Sequence, residues 1–117
     1  MMRCLLFALY CGLVVLMSTF LSCDKEEGLP GCVQLEIQKI KSEQVRNPPS
    51  SVVRYTYHNQ IVYFIPAYCC DFPSVLLSSN CDRICSPDGG ISGSGDDNCP
   101  DFFQKRTNEQ IIWQDDR

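Results

Sequence analysis

Six cysteines between positions 32 and 99 limit what this 117-residue chain can fold into. Cys32, Cys69, Cys70, Cys81, Cys85 and Cys99 form an even set within a short stretch. In an exported chain such a set reads as a disulfide framework, although the spacing does not choose among the possible connectivities. Each bridge is expected to contribute about 2–4 kcal/mol, a large share of the roughly 5–15 kcal/mol that stabilises a typical domain. Zinc is the competing reading. Cys81-x-x-x-Cys85 is similar to half of a zinc site, but Cys69-Cys70 cannot supply a second pair at the usual spacing, and thiolate sites suit a reducing compartment. The adjacent Cys69 and Cys70 also raise the prospect of a strained vicinal bridge. Neighbouring side chains on an extended segment point to opposite sides, so each is expected to pair elsewhere.

The other three cysteines, Cys4, Cys11 and Cys23, lie in or beside the N-terminal segment. Arg3 precedes a largely apolar run from Cys4 to Leu21, then Leu21-Ser22-Cys23 and the polar Asp24-Lys25-Glu26-Glu27. A basic start, an apolar stretch and a small residue before a cut site make a secretory signal peptide. Leu21-Ser22-Cys23 resembles the lipobox of bacterial lipoproteins, which implies cleavage before Cys23 and a lipid on its sulfur. Each buried acyl methylene contributes about 0.8 kcal/mol, so several chains on one residue anchor a small protein. About 18 apolar residues can also just span a bilayer, yet no basic residue follows Leu21 to stop transfer. The expected organisation is a signal peptide over 1–22, an acidic flexible tether over 23–31 and one cysteine-rich domain over 32–117. The tether is charged and carries Gly and Pro, a composition that favours solvation over packing. It also resembles the surface-export signal of Bacteroidota lipoproteins.

The net charge is −4, and loss of Arg3 would make the mature chain one unit more negative. Lys39, Lys41, Arg46 and Arg54 are scattered among acids. Nucleic acid, whose phosphates call for a basic patch, is therefore not expected as a partner.

Val33, Ile37, Ile40 and Gln44 recur at helical spacing and predict a helix from about Cys32 to Gln44, stopped by Asn47-Pro48-Pro49. Val53, Tyr55 and Tyr57 alternate, His58-Asn59-Gln60 turns the chain, and Ile61 to Ile65 returns as an apolar strand. A shorter hairpin is expected from Val75–Leu77 and Asp82–Cys85, and a last strand from Glu109 to Gln114. Between them, Ser86 to Asp101 is a Gly/Asp-rich loop with few apolar groups to pack. The fold class is α+β: one N-terminal helix on an antiparallel sheet of four or five strands.

Asp88, Asp96, Asp97 and Asp101 offer weak calcium ligands, since calcium takes about 6–8 oxygens. The alternating spacing of a dedicated calcium loop is missing, and Asp/Gly loops arise commonly as turns. No cofactor is expected. His58, the only histidine, falls on a turn, no G-x-S-x-G elbow accompanies it, and Gly89 to Gly95 lacks the Lys-Ser/Thr of a phosphate loop. An enzyme is not expected. Tyr55, Tyr57, Tyr63, Phe64 and Tyr68 are divided between core and a recognition face, with at least half expected in the core.

Tyr68-Cys69-Cys70-Asp71, Cys81-x-x-Ile84-Cys85-x-Pro87-Asp88-Gly89-Gly90 and Gly93-x-Gly95-Asp96-x-x-Cys99-Pro100-Asp101-Phe102 together resemble a family of small Bacteroidota lipoproteins. The likeness runs over roughly 32–117 and includes Arg46-Asn47-Pro48-Pro49. It implies a shared domain of unknown function and an envelope location. The chain is thus expected to be an outer-membrane, surface-exposed lipoprotein, held by lipid on Cys23, that binds an unknown protein or glycan or serves a structural role. The alternative is a secreted protease inhibitor presenting residues 86–101, where disulfide rigidity would lower the entropic cost of binding.

Overall fold

The computed structural model describes residues 28–69 and 71–117. Helix α1 spans Gly31–Ser42 and buries Val33, Ile37 and Ile40, the apolar residues at helical spacing. Leu35 stays 66% exposed, so the competing strand-like alternation goes unused. The Pro30 carbonyl accepts the first amides, those of Val33 and Gln34 at 3.0 and 3.1 Å. The helix stops two residues short of Gln44, where the Glu43 amide turns back to the Ile40 carbonyl.

Five strands follow: β1 (Ser51–Tyr57), β2 (Gln60–Ile65), β3 (Val75–Ser78), β4 (Arg83–Cys85) and β5 (Thr107–Gln114). They form one antiparallel sheet in the order β4-β3-β2-β1-β5. Tyr57 pairs with Gln60, and His58 and Asn59 between them take φ of 48° and 60°. That is the left-handed pair a two-residue hairpin turn requires. In the β3–β4 turn the Ser78 hydroxyl accepts the Asn80 and Asp82 amides. Helix, hairpins and sheet match the α+β expectation.

β4 and β5 lie on opposite edges, so the chain between them must cross the sheet. That crossing divides the core in two. On one face α1 packs Val33, Ile37 and Ile40 against Val52, Tyr63, Ile65 and Leu77. On the other, Val53, Tyr55, Tyr57, Val62, Phe64 and Leu76 meet Cys85, Cys99 and Phe102. Alternate residues of β2 serve opposite faces, which explains its nearly continuous burial.

The expected Gly/Asp-rich loop over 86–101 holds no helix or strand, and the apolar anchor of the crossing segment lies just beyond it. Phe102, fully buried, sits with ring centroids 5.6, 5.3 and 5.4 Å from Tyr55, Tyr57 and Phe64. It opens a single helical turn, α2 (Phe102–Lys105), which the sequence pattern does not announce. Two disulfides clamp the layers: Cys32–Cys81 ties α1 to the β3–β4 turn, and Cys85–Cys99 ties β4 to the crossing segment.

Candidate functional site

These two bridges join four of the six framework cysteines, Cys32, Cys81, Cys85 and Cys99. Cys70, Cys23 and the whole signal-peptide and lipobox segment lie outside the described residues. Among the described residues no helix is long and apolar enough to cross a membrane.

The Gly/Asp loop holds itself together without a metal ligand set. Asp96 accepts the Ser86 amide at 3.0 Å and the Asn98 amide at 3.1 Å. Those bonds, the Asn98 amide foremost, hold its carboxyl below the usual range. Asp101 accepts the Tyr57 hydroxyl at 2.6 Å. Asp88 lies beside Ser74, its amide donating to the Ser74 hydroxyl at 3.0 Å, while Asp97 is exposed at a φ of 60°. The four calcium candidates are therefore not gathered, and among the described residues no group of three or more His, Cys, Asp or Glu could hold a metal ion. Two glycines are required by the path itself. At Gly89 (φ 77°) a Cβ would lie 2.6 Å from the Phe72 carbonyl oxygen, and at Gly95 (φ 76°) it would collide with the Ser86 carbonyl. The turn closed by the Gly93 amide on the Gly90 carbonyl projects Ile91, which is 94% exposed.

His58 Nε2 lies 3.4 Å from Asp101 Oδ2 with its side chain 62% exposed. The hydroxyl of Tyr57 holds Asp101 low, while burial first and Asp101 second push Tyr57 up to about 12. Here a hydroxyl, a carboxylate and an imidazole meet, but Tyr57 acts as a hydrogen-bond anchor for the crossing segment.

The strongest candidate site is elsewhere. A groove of about 440 Å³ runs between the C-terminal half of α1 and the segment joining β2 to β3, lined in part by Glu36, Lys39, Arg46, Tyr68, Phe72 and Arg83. Arg46 stacks its guanidinium 4.4 Å from the Tyr68 ring centroid and donates from Nη2 to Glu43 at 2.6 Å. Its Nε is buried without a partner among the described residues. Arg46 in turn holds the Glu43 carboxyl below its usual range, chiefly through that hydrogen bond. Tyr68 and Phe72 are 41% and 59% exposed, with ring centroids 5.8 Å apart. Of the aromatics divided between core and recognition, Tyr55, Tyr57, Tyr63 and Phe64 are buried and Tyr68 alone reaches solvent. Phe72 was missed; its place one residue before Pro73, beyond the end of any strand pattern, was the available signal. Arg46 and Tyr68 are 22 positions apart in the chain, and only the fold places one on the other.

The molecule is thus a small disulfide-clamped α+β domain with an aromatic-edged, charged groove. The chain belongs to the family defined by a domain of unknown function (DUF6970), whose model matches residues 38–115. That match takes in the Cys85–Cys99 loop and the groove apart from Glu36, and leaves Cys32 outside. No curated protein and no solved structure matches the chain.

Proposed function

We propose that the protein is a lipid-anchored, outer-membrane envelope protein, facing outward, whose folded domain binds a ligand without transforming it. The observation that carries the binding role is the solvent-facing Tyr68–Phe72 pair beside the Arg46 groove. Exposed aromatics next to a stacked arginine are the side chains most often used as anchors in recognition. The anchoring role rests on the Leu21-Ser22-Cys23 lipobox and the acidic tether, and on the likeness of the cysteine and glycine signature to small Bacteroidota lipoproteins. Two disulfides fit maturation outside the cytosol. A non-catalytic role is supported by His58, whose ion-pair partner among the described residues is a carboxylate already engaged by Tyr57.

Mass spectrometry of the mature N-terminus tests the anchor: a diacylglyceryl-modified Cys23 is expected, and Cys23→Ala should abolish both the modification and recovery with membranes. An intact 117-residue chain in a soluble fraction would overturn it.

A second reading is favoured by Ile91. A residue 94% exposed at the tip of a turn that is hydrogen-bonded at its base and clamped by Cys85–Cys99 suits insertion into a protease specificity pocket. Inhibition of at least one protease that weakens in Ile91→Asp is expected on this reading. Absence of inhibition across protease classes would dismiss it.

A further inference from the structure

We propose that the groove beside Arg46 takes one ring of an acidic saccharide, a uronic-acid-type sugar, with its apolar face on Tyr68 or Phe72 and its carboxylate toward Arg46. This inference rests on the binding role proposed above and names the ligand class.

Three observations carry it. The Tyr68 and Phe72 rings are inclined by 40°, so they present two angled apolar faces rather than one flat patch. Such faces suit the C–H side of a puckered sugar ring, which offers weak C–H donors to an aromatic π-system. The lining is of mixed charge: Lys39, Arg46 and Arg83 oppose Glu36 and Glu43, leaving one excess positive charge on a chain whose net charge is −4. Donors and acceptors together match a polyhydroxyl ring, and the single surplus cation matches a single carboxylate. A wholly apolar ligand would use none of those charged groups and would cover the half-buried Arg46 without adding a partner. Finally, Arg46 is pre-positioned. Its side chain is 13% exposed, pinned by Glu43 on one side and by the Tyr68 ring on the other, so little side-chain entropy remains to be lost on binding. The volume of about 440 Å³ falls inside the range of small-molecule sites.

A peptide is the competing occupant. Extended peptides gain affinity by adding a strand to an open sheet edge. The edge strand nearest the groove is β4, which is three residues long and contributes Arg83 to the lining. It offers too short a ladder for that mode, and the saccharide is favoured.

The full chain in detergent micelles is titrated with a digalacturonate probe, its neutral galactose counterpart and an acidic tetrapeptide, following Tyr and Trp fluorescence or heat. Saturable binding of the uronate is expected, about tenfold tighter than of the neutral sugar, because a hydrogen bond to a charged group is lost in the latter. Arg46→Gln should erase that preference. Phe72→Ala, at a position already 59% exposed, should weaken both sugars several-fold while leaving the unfolding midpoint unchanged. Equal affinity for charged and neutral sugar, or no saturable binding of either, overturns the saccharide assignment. Binding of the acidic peptide that Phe72→Ala abolishes would overturn the ligand class and preserve the groove as a binding site. If none of the three probes binds, and the wild type and Phe72→Ala associate equally with isolated envelopes, both the ligand class and the binding role fall.

Discussion

The hydroxyl of Tyr57, in β1, donates to Asp101 at 2.6 Å and so ties the central sheet to the segment that crosses it. The two residues pull each other's ionisation apart. Asp101 is held low mainly by the hydroxyl, whereas Tyr57 is pushed up to about 12, by burial first and the carboxylate second. Asp101 therefore contributes stability that is full above its ordinary pKa and fades as pH falls through its lowered folded value. Tyr57 contributes stability that is full below about pH 10 and fades as pH rises toward about 12. Urea midpoints measured across both flanks should show both losses in the wild type. In Tyr57→Phe the alkaline loss assigned to this residue should vanish and the acid loss should shrink.

Removing the bridges separately should rank them by loop length. Cys32 and Cys81 are 49 positions apart, and Cys85 and Cys99 are 14 apart. Chain entropy then assigns about 4 kcal/mol to the first and about 3 kcal/mol to the second. Paired Cys→Ser variants, compared by denaturant titration, are expected to fall in that order.

Phe102 and Phe103 are neighbours with opposite roles. Phe102 is fully buried at the centre of an aromatic cluster, whereas Phe103 is 38% exposed. Phe102→Ala should cost about 3–5 kcal/mol. Phe103→Ala should cost clearly less. Equal losses in equilibrium unfolding would contradict the second core face.

Gly95 and Gly93 share nearly the same positive φ, 76° and 78°, but only Gly95 has backbone where a Cβ would go; nothing lies within 4 Å of Gly93. Gly93→Ala should cost about 1 kcal/mol, the strain of a left-handed residue. Gly95→Ala should cost distinctly more, and its thermal midpoint should fall further.

The elements themselves were legible from local pattern. Val33, Ile37 and Ile40 repeat at the helical period, and Tyr55 and Tyr57 alternate before a turn of two residues that tolerate positive φ. The order of the crossing segment was not legible because it comes from partners elsewhere in the chain: Tyr57 for Asp101, Ser74 for Asp88, and Cys85 for Cys99. The same holds for the end of α1. Arg117 donates to the carbonyls of Ile40, Lys41 and Glu43 while its guanidinium is gripped by Asp115 at 2.9 and 2.8 Å. No capping pattern within the helix reveals that.

Residue order alone determined the α+β class, the helix, the hairpins and an even cysteine set, because hydrophobic period and turn chemistry act over a few neighbouring positions. The tertiary structure decided which cysteines join, that both sheet faces are covered, and that Arg46 lies on Tyr68 beside an exposed Phe72. Those outcomes depend on where strands β4 and β5 sit in the sheet, and strand order follows from the packing of the entire chain rather than from any local stretch of it.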